Sequence, residues 1–110
     1  MNTNQKLSEA FSANLLAVGE PSINPPPESF GSIDMGNVSY VVPAIHPYIG
    51  IGDETLVAHT AKMAAATFTP AAHQALLRGA KAMALTGYDL ITNAGLLAEI
   101  KAEFNQSLKK

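Results

Sequence analysis

The sequence has no cysteine and no tryptophan. The absence of cysteine removes disulfides, thiolate metal sites and cysteine nucleophiles together. Charge is also scarce: Asp, Glu, Lys and Arg make up 15% of the 110 residues, against roughly 25% in typical soluble domains. A domain of 11.5 kDa has a high surface-to-volume ratio and should carry more charge, not less. The shortage implies that part of the surface is built to be covered. The net charge of −2 and pI near 5.8 leave no basic footprint for nucleic acid or anionic lipid. No apolar run approaches the roughly 18 residues of a membrane span. The N-terminus, MNTNQKLSEAF, has no basic stretch leading into an apolar one, so no secretory signal is visible and the expected compartment is the cytoplasm.

Apolar residues, at 47%, allow a core and argue against wholesale disorder. Leu7, Phe11, Leu15 and Val18 recur at helical spacing and predict an amphipathic helix over residues 4–18, closed by Gly19. Pro21, Pro25, Pro26 and Pro27 follow; they forbid helix and central strand and predict an extended linker. Residues 29–36 are small, polar and turn-prone, while Tyr40, Val41, Val42, Ile45, Tyr48, Ile49 and Ile51 are β-prone. Pro43 and Pro47 break this stretch, so one or two short strands are expected rather than a long one. The last half reads as helix. A short segment begins near Thr60. A long alanine-rich helix runs from Pro70 to about Ile91, with Thr69 as its cap, and a final amphipathic helix spans residues 96–108. The long helix is apolar over most of its circumference, a pattern normally buried on more than one side. The fold class expected from these elements is α/β, a partial domain of one or two short strands with flanking helices.

The chemistry-bearing residues are few. His46, His59 and His73 form no HExxH or HxH arrangement, and none has a nearby carboxylate at metal-ligand spacing. Read alone, each is more often a packed or solvated side chain than a ligand, His73 most of all. Asp34, in Gly31-Ser32-Ile33-Asp34-Met35-Gly36, reads either as a turn or helix cap or as part of a loop facing a ligand, with Gly36 permitting close approach. It belongs to no dinucleotide or phosphate-binding fingerprint. Asp53 and Glu54 are adjacent, so in an extended stretch they point apart and do not form an acid–base pair.

Four ordered blocks carry a resemblance. They are the stretch Gly31-Ser32-Ile33-Asp34-Met35-Gly36-Asn37-Val38-Ser39 with Val42-Pro43, then His59-Thr60, then Gly79-Ala80-Lys81-Ala82-Met83-Ala84-Leu85-Thr86, and the tail from Leu96 to Phe104. Together they resemble the zinc-dependent metallopeptidase and amidohydrolase family of aminoacylase and carboxypeptidase G, with the nearest look to its aminobenzoyl-glutamate hydrolase-like subgroup. Ile33 departs from the family pattern, where Thr or Ser is commoner.

The resemblance implies a catalytic α/β domain interrupted by a lid, two zinc ions, a glutamate base and an amide substrate, an N-acyl amino acid or a dipeptide. It implies that residues 1–110 form the C-terminal segment of that catalytic domain, with the lid and the N-terminal half absent, so that most metal ligands and the base are missing. His59 matches the one metal ligand supplied from this part. Asp34, Gly36 and His46 match the loop beside the substrate cleft. Such a chain is expected to be inactive alone and to bind zinc poorly. Its expected partner is the N-terminal half of the same enzyme. The alternative is a non-catalytic remnant or helical module that self-associates through an apolar face.

Overall fold

In a computed structural model the chain is described over residues 1–20, 34–51 and 60–109. Five helices run in order: α1 (Gln5–Ala17), α2 (Met35–Val38), α3 (Ala61–Ala66), α4 (Pro70–Thr92) and α5 (Ala94–Ser107). Three of them, α1, α4 and α5, pack against one another and form the body of the protein.

The helix ends follow the sequence signals. Asn4 caps α1, its side chain accepting from the Leu7 amide at 3.0 Å. At the other end Gly19, with φ at 111°, lets the Glu20 amide reach Leu15 O and its own amide reach Leu16 O, both at 3.2 Å. These two bonds are the paired closure that a left-handed residue after a helix permits. Gly19→Ala meets open space, the nearest atom lying 4.0 Å away, so its cost is backbone strain alone. About 1 kcal/mol is expected, read as a shift in urea midpoint; an unchanged midpoint would contradict this closure.

Thr69 caps α4 through the Ala72 amide, with Pro70 at the first helical position. Pro70 has no N–H to leave unpaired there. Thr60 caps α3 through the Met63 amide at 3.2 Å. Asn93 ends α4 and caps α5 through the Leu96 amide at 3.1 Å, so one residue turns the chain between two helices.

The expected α/β class is not what forms: among the described residues the fold is all-helical, with no strand. The β-prone stretch 40–51 receives a single parallel bridge, Thr3 to Ala44, carried by the Asn4 amide on Ala44 O at 3.0 Å. The physical reason lies on both sides of that bridge. The pairing segment becomes helix at Gln5, so the ladder stops after one rung. Pro43 and Pro47 withhold two amides from any continuation. Before it, the amides of Val41 and Val42 turn back onto Val38 O at the end of α2.

The core is small and made largely of alanine. Phe11, Leu15 and Ala82 form its centre, with Val18, Ile45 and Ile49 packed around it. Ala75 and Ala82 are fully buried, and their short side chains let α4 lie close to α1. Asn14 adds a polar tie, donating to Thr86 Oγ1 at 3.0 Å and to Asp89 Oδ2 at 2.9 Å. Arg78 pairs with Glu20 at 3.0 Å. On the other side of α1, Glu103 of α5 accepts from the Gln5 and Lys6 amides. A carboxylate there satisfies first-turn donors and meets the positive end of the helix dipole.

Among the described residues α4 is buried along one side only. Ala72, Ala75, Ala82 and Thr86 face α1 and α5, whereas Leu76, Leu77, Met83, Tyr88 and Ile91 stand in solvent. No helix among the described residues is long and apolar enough to cross a membrane.

Candidate functional site

Residues 34–51 carry Asp34, Gly36 and His46, three of the four residues that the resemblance places at the site, and local bonds hold this segment in place. Ser39 is completely buried. Its hydroxyl donates to Gly36 O at 2.6 Å and accepts from the Asn2 amide at 2.8 Å. Asn2 also donates to Ser39 O at 3.3 Å and to Ser107 Oγ at 2.9 Å. The short helix α2 is thereby tied to the N-terminus and to the end of α5.

Asp34 stands at the start of α2, exposed, and its carboxylate does not cap that helix. Of the two readings of Asp34, the side-chain cap is not the one formed here. Gly36 is helical, and among the described residues nothing beyond its own helix lies within 4 Å of where a Cβ would stand. His46 is exposed and meets the Tyr48 ring edge-on, with centroids 5.1 Å apart and planes at 62°. Asp34 and Gly36 therefore share α2, while His46 lies beyond the Ala44 bridge. His59 lies outside the described residues.

Just beyond His46 the segment closes a groove. Pro47, Tyr48 and Ile49 form one wall, Leu76, Gly79 and Met83 of α4 the other, and Phe11 the floor; the space is about 220 Å³ and almost wholly apolar. Gly79 brings these walls together: a Cβ there would lie 3.7 Å from Ile49 Cδ1. This groove is not legible in the sequence: Tyr48, Ile49 and Gly79 line it, but only the packing of the loop onto α4 brings them together.

A catalytic metal needs about three protein ligands and an open position. Among the described residues, no group of three or more His, Asp or Glu side chains is placed to hold one. These residues do not by themselves fit a zinc centre, and His59 is the one residue of the candidate set for which a metal role rests on the resemblance alone.

No family model matches the chain. It is, however, similar to curated proteins. The Xaa-Arg dipeptidase of Mus musculus is 45% identical over 80 residues, which is 73% of this chain and 18% of that protein. The Xaa-Arg dipeptidase of Homo sapiens is 44% identical over 80 residues, with the same shares. The chain thus spans about a fifth of the length of the curated relatives it matches. The aminobenzoyl-glutamate hydrolase-like subgroup is not singled out by these matches. What they support is the broader statement: over most of its length the chain is similar to peptidases of the amidohydrolase type.

Proposed function

We propose that this chain is the C-terminal segment of the catalytic domain of a metal-dependent amidohydrolase, one that hydrolyses the amide bond of a dipeptide or an N-acyl amino acid. The observation that carries the reading is the 45% identity to a dipeptidase over 80 residues. The uncovered apolar side of α4 supports it, because a helix of this kind is built to lie against further polypeptide. On this reading His59 supplies one ligand to a metal, with zinc the first to test. Asp34, Gly36 and His46 line the substrate side. The remaining ligands and the base come from polypeptide outside these 110 residues. Hydrolysis adds water across the amide, breaking the C–N bond to leave a carboxylate and an amine.

The test is complementation. The chain is co-expressed with the Mus musculus Xaa-Arg dipeptidase from which the matching segment has been deleted. Release of arginine from an Xaa-Arg dipeptide is measured beside the zinc content of the purified material. Both polypeptides together are expected to hydrolyse the dipeptide and retain zinc, while either alone does neither. His59→Ala is expected to remove the restored hydrolysis, by at least a hundredfold, and to lower the zinc content. Hydrolysis by the 110-residue chain unaided would overturn the reading, as would complemented activity indifferent to His59→Ala.

A further inference from the structure

The N-terminal residues tie the segment 34–51 to α5. Thr3 bridges to Ala44, and Asn4 is extended, with φ −86° and ψ 114°. In an extended stretch alternate residues share a side. The amides of Asn2 and Asn4 both face the segment, one donating to Ser39 Oγ at 2.8 Å and the other to Ala44 O at 3.0 Å. Ser39 and Ala44 are the two buried residues of that segment. The side chains of Asn2 and Asn4 both reach α5. Asn2 Nδ2 donates to Ser107 Oγ at 2.9 Å, and Asn4 Nδ2 to Ile100 O at 3.0 Å. Ile100 and Ser107 are seven residues apart, which puts them on one face of α5.

Ser39 is where this tie meets the candidate site. Its exposure is 0%, so its hydroxyl does not touch a substrate. The hydroxyl is a joint between two backbones: it donates to Gly36 O at 2.6 Å and accepts from the Asn2 amide. Its own amide donates to Met35 O at 2.9 Å, and its carbonyl accepts from Asn2 Nδ2 at 3.3 Å. Met35 and Gly36 directly follow Asp34. The helix α2 itself has four residues and none of them is buried, so it is held by these bonds rather than by a core. An alanine at 39 leaves the Asn2 amide and the Gly36 carbonyl without this partner. Buried groups seldom stay unpaired, and the cheapest relief is a shift of α2.

We propose that Ser39 is a positioning residue: acting through α2, it holds Asp34 and Gly36 at the substrate side and sets how tightly the dipeptide is bound, not how fast its amide bond is broken. The inference rests on the proposed function, which gives Asp34 and Gly36 their place. On that reading the metal ligands and the base lie elsewhere, and the chemical step is left to them.

Steady-state kinetics of the complemented Mus musculus Xaa-Arg dipeptidase test this, beside amide hydrogen exchange on the 110-residue chain. Ser39→Ala is expected to raise KM about tenfold and to leave kcat within about twofold. Asn2→Ala is milder, because the backbone amide on Ser39 stays and only the side-chain bonds are lost; a rise in KM of about threefold is expected, with kcat again unmoved. Thr86→Ala is the control. Its bonds run to Asn14 and to Ala82 O, so it lowers stability between α1 and α4, and KM is expected to stay at the parent value. In the chain alone, the amides of residues 39, 41 and 42 bond to Met35 O and Val38 O. Their exchange should quicken at least about fivefold in Ser39→Ala, while the amides of α4 are unchanged. No hydrolysis by the unsubstituted pair overturns the proposed function and this role with it. Hydrolysis with KM unmoved by Ser39→Ala overturns the role alone. So does an equal rise in KM in Thr86→Ala, which would make the effect one of stability. Should Ser39→Ala fail to complement, Asn2→Ala decides, and an unmoved KM there rejects the role. Unchanged exchange at residues 39, 41 and 42 rejects it as well.

Discussion

Ile100→Ala is expected to lower the free energy of unfolding by about 3 to 4 kcal/mol, read as a fall in urea midpoint followed by far-ultraviolet circular dichroism. Ile100 is 1% exposed and is the largest fully buried side chain among the described residues. Most of the other buried apolar residues are alanines, namely Ala44, Ala72, Ala75 and Ala82, each of which contributes little area. For a side chain this completely buried, both the transfer loss and the cavity cost apply. For a domain whose total stability is about 5–15 kcal/mol at best, that loss leaves a large unfolded fraction. Ile91→Ala removes the same atoms from a side chain that is 87% exposed, and its cost should stay below about 0.5 kcal/mol. A loss under about 1 kcal/mol at Ile100 would mean that α5 is not held by this contact.

Asn4→Asp is expected to cost about 2 to 3 kcal/mol, more than Asn4→Ala. This inverts the usual ranking of helix caps, in which Asp and Asn are equivalent and Ala is poor. The reason is that Asn4 uses both ends of its amide. Its oxygen accepts from the Leu7 amide at 3.0 Å, and its nitrogen donates to Ile100 O of α5 at 3.0 Å. The residue is only 3% exposed. A carboxylate keeps the cap but turns an acceptor toward a carbonyl, and it does so beside Glu103, which holds the next two amides. Burying a charge with one oxygen held against a carbonyl costs more than losing a neutral hydrogen bond. Asn4→Ala loses the cap and the donor but buries no charge, so about 1 to 2 kcal/mol is expected. Equal stability of Asn4→Asp and the parent chain would show that the cap alone accounts for Asn4.

The helical elements were legible because each carries its signals locally. The caps at Thr69-Pro70 and Gly19 read directly, and the Leu7, Phe11, Leu15 spacing marks α1 on sequence alone. The strands were misread for an equally physical reason. Tyr40, Val41 and Val42 have β-prone side chains, but a strand exists only when a neighbour accepts its backbone, and among the described residues the segment that bridges to Ala44 turns helical after a single rung. Propensity says what a segment tolerates; the partner decides what it becomes. The candidate site shows the same division. Asp34, Gly36 and His46 were singled out by the resemblance, which says nothing of their surroundings. The groove formed by Tyr48, Ile49 and Met83 joins residues too far apart in the chain for any local pattern to unite.

Composition and periodicity by themselves determined that this is a charge-poor chain with an alanine-rich helix too apolar for its size; the amidohydrolase reading came from the resemblance of its ordered blocks. Tertiary structure alone decided which side of that helix is spent on α1 and α5 and which is left over. Local sequence encodes how apolar a helix is and on which arcs, but only packing allots those arcs to neighbours. Here Ala75 and Ala82 draw α1 onto one arc, and the leucines, Met83 and Ile91 remain in solvent.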